Sequence, residues 1–249
     1  MSLAGKTAIV TGAGTGIGRA TAQVLAERGA RVVAASLQPD RLRATVDAIT
    51  SAGGEAIAVD ADLSDPQAIE QVASSAQHAF GGTDVLVNNA AVYPIGPWHE
   101  MDAEQWDAVF ATNIRGYFLM ARAVRPQMIA RGGGAVVNVS SVTFFTGNAL
   151  LLAYVASKGA VIGFTRALAR EAGPDGIRAN AVAPGAFPTA ATEIHADQEG
   201  LWRDVLAGQS IKRRGEVQDV ARAIAFFAGD DASFVTGQTL LVDGGWMFG

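Results

Sequence analysis

Three side chains in the second half of the chain have the types and the spacing to move a proton. Tyr154 and Lys158 are four positions apart in a stretch with helical periodicity, so both lie on one side of a helix. A free tyrosine, with a pKa near ~10, is a weak base at neutral pH. An ammonium one turn away stabilises the phenolate and is expected to lower that value. The lysine is also a donor able to hold a sugar hydroxyl. Ser141 precedes Tyr154 by thirteen positions and closes a strand-like run. Open parallel sheets bind ligands at the carboxyl ends of their strands, so Ser141 is placed to hydrogen-bond a substrate oxygen. A tyrosine–lysine pair at this spacing also arises by chance on many helices, and it gains meaning only from what surrounds it.

What surrounds it begins near the N-terminus. Thr11-Gly12-Ala13-Gly14-Thr15-Gly16-Ile17-Gly18 follows one strand-like run and opens a helix. Glycines permit a tight turn and let backbone N–H groups approach a phosphate. A helix N-terminus adds partial positive charge aimed at the same anion. The spacing is G-x-x-x-G-x-G through Gly12, Gly16 and Gly18. The commoner G-x-G-x-x-G would require glycine where Ile17 stands.

The elements that must position these residues alternate along the chain. Strand-like runs fall at Thr7–Thr11, Arg31–Ala35, Glu55–Val59, Asp84–Val87, Ala135–Val139, Ile177–Val182 and Thr239–Val242. Helical spacing is read at Thr21–Arg28, Gln67–Phe80, Glu104–Ala130, Tyr154–Ala172 and Val217–Ala228. Near-continuous apolar strands alternating with helices predict an α/β fold: a Rossmann-type, doubly wound, seven-stranded parallel sheet with helices on both faces. One domain is expected over residues 1–249. Residues 186–211 lack a strand, and an excursion of that length between two strands is expected to act as a substrate lid.

Composition narrows the function. The chain has 249 residues, a net charge of −5 and no cysteine. Acidity argues against nucleic acid or anionic membrane as partner, and the absent thiols exclude disulfides and cysteine nucleophiles. No apolar run reaches the ~18 residues of a membrane span, and a cytoplasmic location is expected. A mean hydropathy of +0.22 predicts apolar surface buried between subunits. His78, His99 and His195 show no metal-ligand spacing, so no metal is expected. Asn138-Val139-Ser140 matches a glycosylation sequon on a strand that is expected to be buried.

In this order, over essentially its whole length, the chain resembles the short-chain dehydrogenase/reductase family. The motifs that carry the resemblance are Thr11–Gly18, Asp62-Leu63, Asn88-Asn89-Ala90, Asn113, Ser141, Tyr154 with Lys158, Pro184-Gly185 and Thr189. The resemblance implies an NAD(P)-dependent oxidoreductase in which hydride reaches carbon while a tuned acid protonates oxygen. It implies Tyr154 as acid/base, Ser141 orienting the carbonyl, Lys158 on the nicotinamide ribose, and Asn113 holding a proton-relaying water. Gly12, Gly14, Thr15, Gly16, Ile17 and Gly18 would cradle the cofactor phosphates. Asp62 and Leu63 would touch adenine, Asn89, Ala90 and Ala91 would lie along the cofactor, and Pro184, Gly185 and Thr189 would hold its nicotinamide end. Ala91 replaces a usual glycine, and Pro188 stiffens the approach to Thr189.

Ser36 stands where an NAD-type acid would be and Leu37 where an NADP-type arginine often is, so the reading leans to NAD(H), with Arg41 keeping NADP(H) open. Tyr93, Thr143, Phe144, Phe145, Phe187 and Trp202 are expected to wall a pocket for a small, mainly apolar secondary alcohol or its ketone. The alternatives are a 3-oxoacyl group on acyl carrier protein and an epimerase or dehydratase using the same residues. A non-enzymatic nucleotide sensor is disfavoured because Tyr154 and Lys158 are both present. A homotetramer, or at least a dimer, is expected through the 104–130 and 154–172 helices and the C-terminal strand. The apolar end at Trp246-Met247-Phe248 would be covered by a neighbour.

Overall fold

The computed structural model describes residues 2–189, 192 and 197–248. His195, read from sequence as a lid residue, lies outside them. Seven parallel strands form one sheet: β1 (Thr7–Thr11), β2 (Arg31–Ser36), β3 (Ala56–Asp60), β4 (Val85–Asn88), β5 (Gly134–Val139), β6 (Ile177–Pro184) and β7 (Thr239–Val242). Their order is β3-β2-β1-β4-β5-β6-β7, so the direction of winding reverses between β1 and β4. Ligands of such sheets bind outside the carboxyl ends at that reversal.

The pleat explains the two layers. Ala8 and Val10 of β1, with Val32 and Ala34 of β2, point to one face. There they meet α1 (Gly16–Glu27) through Ala22, Val24 and Leu25, α2 (Pro39–Ser51) through Leu42 and Ile49, and the last helix, Val217–Ala228, through Val220 and Ile224. Ile9 and Val33 point the other way, onto α3 (Pro66–Phe80) through Ile69, Val72 and Ala76. The same face carries Met120 and Val124 of α5 (Gly116–Ala130), which follows α4 (Ala103–Phe110). Burying each such Val, Leu or Ile contributes roughly 1.5–3 kcal/mol, so alternation along the strands suffices to specify the layering.

Four elements differ from the sequence reading. α2 was not expected; it buries only Leu42, Thr45 and Ile49, a stripe too narrow to stand out among polar residues. α1 begins at Gly16 rather than near Thr21, because Gly16 and Gly18, poor helix formers, serve the turn. The 104–130 helix is interrupted by a π turn at Ala111–Arg115, a feature common at functional sites. The excursion after β6 contains a helix at Gln198–Gly208; with α6 (Thr143–Thr146) and α7 (Leu152–Ala172) already placed in the chain, it is α8, and Val217–Ala228 is α9. Among the described residues no helix is long and apolar enough to cross a membrane.

Candidate active site

The glycine turn is pinned from three sides. The Thr11 hydroxyl accepts the N–H groups of Asn89 (2.8 Å) and Ala90 (3.1 Å), tying the end of β1 to the end of β4. Asn89 Nδ2 donates to Thr11 O at 2.9 Å, so its side chain holds the two strand ends together. The Thr45 hydroxyl of α2 donates to Ala13 O at 3.0 Å. At Gly12, with φ +64°, a Cβ would lie 2.8 Å from Asn89 Nδ2; at Gly18 it would lie 2.1 Å from Gly12 O. Only glycine lets the helix start sit this close to the turn. Gly16 packs against the Thr189 methyl and Gly14 against Ser36 Oγ, which brings four distant segments of the sequence together.

Thr15, at the N-cap of α1, makes no side-chain capping bond, and the first turn carries no acidic residue. The leading N–H groups are therefore left to an external acceptor, in a mouth with no carboxylate of its own in that turn. These residues fit a dinucleotide pyrophosphate. Pro184 ends β6, and Gly185 donates its N–H to Val242 O at 2.9 Å, fixing the loop beside Asp243. The other expected contacts are less direct. Asp62 accepts the N–H and hydroxyl of Ser64, both at 2.8 Å, whereas the Leu63 side chain is buried in the sheet core. Leu37 is 62% exposed.

Tyr154 and Lys158 share one face of α7 at the carboxyl ends of β4 and β5. Lys158 is buried, and its Nζ donates to Val139 O at 2.7 Å and to Tyr117 Oη at 3.4 Å. It lies 5.5 Å from the ring centres of both Tyr117 and Tyr154. Burial pulls the Lys158 ammonium down to about 7. Burial also pushes Tyr154 up to about 12, against a lowering hydrogen bond from Ser141, while Tyr93 adds to the rise. Burial works against the expected lowering of Tyr154 by its lysine, because desolvation disfavours the charged forms of both residues. Tyr93 meets Tyr154 edge-on, with ring centres 6.0 Å apart.

Asn113 lies in the π turn and is buried. Its Nδ2 donates to Val92 O (2.9 Å) and Ser157 Oγ (3.0 Å), and its Oδ1 accepts the Val92 N–H (2.8 Å). Both amide hydrogens are used, so a relaying water could meet this side chain only as a donor to the second lone pair of Oδ1, or a main-chain group. Ser157 in turn donates to Tyr154 O at 2.7 Å, and Ser140 donates to Lys158 O at 2.8 Å. Sequence reading missed Ser140, Ser157 and Tyr117; the first two adjoin residues it had singled out, but nothing in their spacing announces the bonds.

The presumed pocket wall divides. Tyr93 meets Tyr154, Thr143 bonds Ser141, and the Phe144 ring lies over Gly159 of α7 with Phe145 edge-on beside it. Phe187 and Trp202 do not join them. Phe187 is buried in the core, its ring against Gly215, and faces a cavity of about 350 Å³ lined also by Gln209, Ile211 and Leu241. Trp202 is buried under the Arg214 guanidinium, 4.9 Å away. Large aromatics bury themselves wherever an apolar neighbour is at hand, Phe187 from the loop after β6 and Trp202 from α8, which is why their type alone misled. Asn138 is buried and donates to Thr165 at 2.9 Å, out of reach of glycosylation.

A family model described as "Enoyl-(Acyl carrier protein) reductase" matches residues 12–247. The chain is 38% identical over 245 residues to a 3-oxoacyl-[acyl-carrier-protein] reductase of Vibrio cholerae, covering 98% of each. A crystal structure from Sinorhizobium meliloti, provisionally assigned as a short-chain alcohol dehydrogenase, superposes with TM-score 0.94 at 37% identity, over 98% of this chain and 97% of that one. Another, from Beutenbergia cavernae, provisionally assigned as an NAD(P)-dependent gluconate 5-dehydrogenase and holding NADP, superposes with TM-score 0.91 at 41% identity, over 98% of both. With a tyrosine–lysine pair and a glycine turn meeting at the reversal of its sheet, the chain belongs to the short-chain dehydrogenase/reductase family and is an NAD(P)-dependent oxidoreductase acting on a CH–OH group.

Proposed function

We propose that the chain interconverts a small, mainly apolar secondary alcohol and its ketone, with Tyr154 as general acid/base. The observation that carries this reading is the character of the mouth. Val92, Ile95, Phe144, Leu150 and Leu152 are all exposed there, and the Gly96 N–H donates to Leu150 O at 3.0 Å, joining the two loops that bear most of them. Leu150 holds φ +64°, a conformation that costs a non-glycine residue energy and persists where the surroundings impose it. No Lys or Arg lies in Val92–Ile95 or Thr143–Leu152, so a carboxylate or phosphate finds no partner on these walls.

Bound nicotinamide supplies or accepts the hydride. Gly12–Gly18, Pro184, Gly185 and Thr189 would hold the cofactor, and Lys158 would reach its ribose. In reduction the substrate oxygen accepts a hydrogen bond from Ser141 and a proton from Tyr154; oxidation reverses the proton. Asn113, through Ser157 and Val92, positions α7 and one pocket wall.

The second reading, a carrier-linked 3-oxoacyl substrate, draws on the Vibrio relative. Carrier docking calls for free cations at the mouth. Arg131 and Arg125 do not supply them: each is bonded at 2.7 Å, to Asp84 and Asp175 respectively, beside the amino ends of β4 and β6 and away from the carboxyl-end mouth. A panel of aryl and cyclic ketones beside a 3-oxoacyl thioester, read by nicotinamide absorbance, separates the two: efficient turnover of the thioester alone selects the second. Net absorbance change also excludes an epimerase or dehydratase, which returns its cofactor unchanged.

The same reading includes a homotetramer. Phe118 of α5, Leu240 of the edge strand β7 and Phe248 are exposed, Phe248 by 85%. Trp246 is partly covered within the chain, its ring against Gly208, which leaves Phe248 as the most exposed part of the apolar end. A monomeric mass by light scattering at micromolar concentration rules the tetramer out.

A further inference from the structure

Ser141 accepts two hydrogen bonds from one neighbour. The Thr143 N–H donates to Ser141 Oγ at 3.1 Å, and the Thr143 hydroxyl donates to the same oxygen at 2.9 Å. A serine hydroxyl offers two acceptor lone pairs and one hydrogen. With both lone pairs occupied, the hydrogen is all that Ser141 has left to give.

Thr143 is held for this task. It opens α6, and its carbonyl accepts the Gly147 N–H at 2.9 Å; Phe145 donates its N–H to Val142 O at 2.8 Å; Val142 donates to Pro184 O at 3.0 Å. The short helix is therefore tied both to itself and to the end of β6. Ser141 is buried and Thr143 is partly buried, so water competes little for these bonds. Sequence reading placed Thr143 on the substrate wall by its position alone; its hydroxyl points to a different use.

We propose that Thr143 is a positioning residue for the reaction: by filling both lone pairs of Ser141 Oγ it makes that hydroxyl an obligate donor, so the reacting oxygen exchanges its proton only with Tyr154. This rests on the reading that Ser141 and Tyr154 flank that oxygen. In reduction the Tyr154 O–H bond breaks and the alcohol O–H bond forms, while Ser141 keeps its hydrogen and donates throughout. In oxidation the alcohol proton passes to the Tyr154 phenolate. A Ser141 free to accept would let the alcohol point its hydrogen the wrong way, an orientation from which no proton reaches Tyr154.

Thr143→Val keeps the branched shape and the backbone N–H but removes the hydroxyl donor; Thr143→Ser restores it. Thr143→Val is expected to lower kcat by about tenfold with KM changed less than about twofold, the scale of one shielded hydrogen bond. It is also expected to move the alkaline limb of the oxidation profile to higher pH, because a Ser141 hydroxyl free to rotate supports the phenolate less. Thr143→Ser is expected to recover kcat to within about threefold and to return the limb. A melting curve for each variant separates these effects from misfolding, and Thr143→Ala replaces the valine variant if that one does not fold. Wild-type kcat and limb in Thr143→Val, or equal impairment in Thr143→Ser, overturns the inference. Tyr154→Phe, measured alongside, tells the two levels apart. An active Tyr154→Phe removes the underlying reading, whereas an inactive one beside a normal Thr143→Val removes only the role of Thr143.

Discussion

Asn113 and Ser157, 44 positions apart, are joined by a 3.0 Å hydrogen bond from Asn113 Nδ2 to Ser157 Oγ. Through it the π turn grips α7 one residue before Lys158, while the other bonds of Asn113 hold Val92. Asn113→Leu leaves the Val92 groups and the Ser157 oxygen short of partners in a buried place. Each orphaned group costs about 1–3 kcal/mol. The variant is expected to lose about 2–4 kcal/mol in urea unfolding and, where still folded, to lower kcat more than it raises KM. An unfolding midpoint equal to wild type contradicts the role given to Asn113.

The sheet was legible because its seven strands are short, β-branched and apolar, and because a parallel sheet buries both faces. The tyrosine–lysine pair was legible because Tyr154 and Lys158 differ by one helical turn. What surrounds them was not. The Ser140–Lys158 bond depends on the ends of β5 and α7 meeting, the Asn113–Ser157 bond on the π turn reaching α7, and the Thr143–Ser141 bonds on a tight local turn, and no periodicity encodes any of these. Phe187 and Trp202 show the opposite failure: their type fitted a pocket wall, but apolar burial in the core stabilised them more. α2 escaped notice since it offers the sheet only Leu42, Thr45 and Ile49.

Lys158 ties function to a stability cost. Its ordinary pKa near 10.5 falls to about 7 on burial. Between those values the unfolded chain holds a proton that the native state lacks, so stability rises with pH across that window and is lowest below about pH 7. Lys158→Met removes the buried amine and its titration. The variant is expected to be inactive yet to melt higher than wild type at pH near ~6, with the gap, on the order of a few kcal/mol, shrinking towards pH ~9. Melting curves at several pH values test this; a variant that melts lower at every pH shows that the Val139 and Tyr117 contacts matter more than desolvation.

Cofactor choice turns on Arg41. A Cβ on Gly14 would lie 3.2 Å from Ser36 Oγ and 3.5 Å from Arg41 Cβ, so the Arg41 stem borders the turn beside the residue that replaces an NAD-type acid. Its carbonyl accepts from Arg19 at 3.3 Å. Among the described residues nothing engages its guanidinium, which is exposed and costs entropy to immobilise on a 2′-phosphate. NAD(H) is therefore expected to serve at least comparably to NADP(H). Arg41→Ala is expected to lower kcat/KM for NADP(H) about tenfold or more and to leave NAD(H) within about threefold. A wild-type preference for NADP(H) above about a hundredfold contradicts the lean to NAD(H).

The raised pKa of Tyr154 fixes how each direction responds to pH. At about 12 without cofactor, the phenol is protonated throughout the neutral range. That is the form reduction consumes, so kcat/KM for ketone reduction is expected to stay level there and to fall only as the phenol ionises. Oxidation needs the phenolate, whose fraction grows about tenfold per pH unit below the pKa. Its kcat/KM is expected to climb from about pH 6 towards about pH 10. Ser141 lowers the Tyr154 value by its hydrogen bond, so Ser141→Ala is expected to push the oxidation limb to still higher pH while depressing both directions. Paired profiles, measured with one alcohol and its ketone and corrected for the proton in the overall equilibrium, decide the matter. An oxidation profile that is flat over that range removes Tyr154 ionisation from the rate and with it the assignment of this residue as the base.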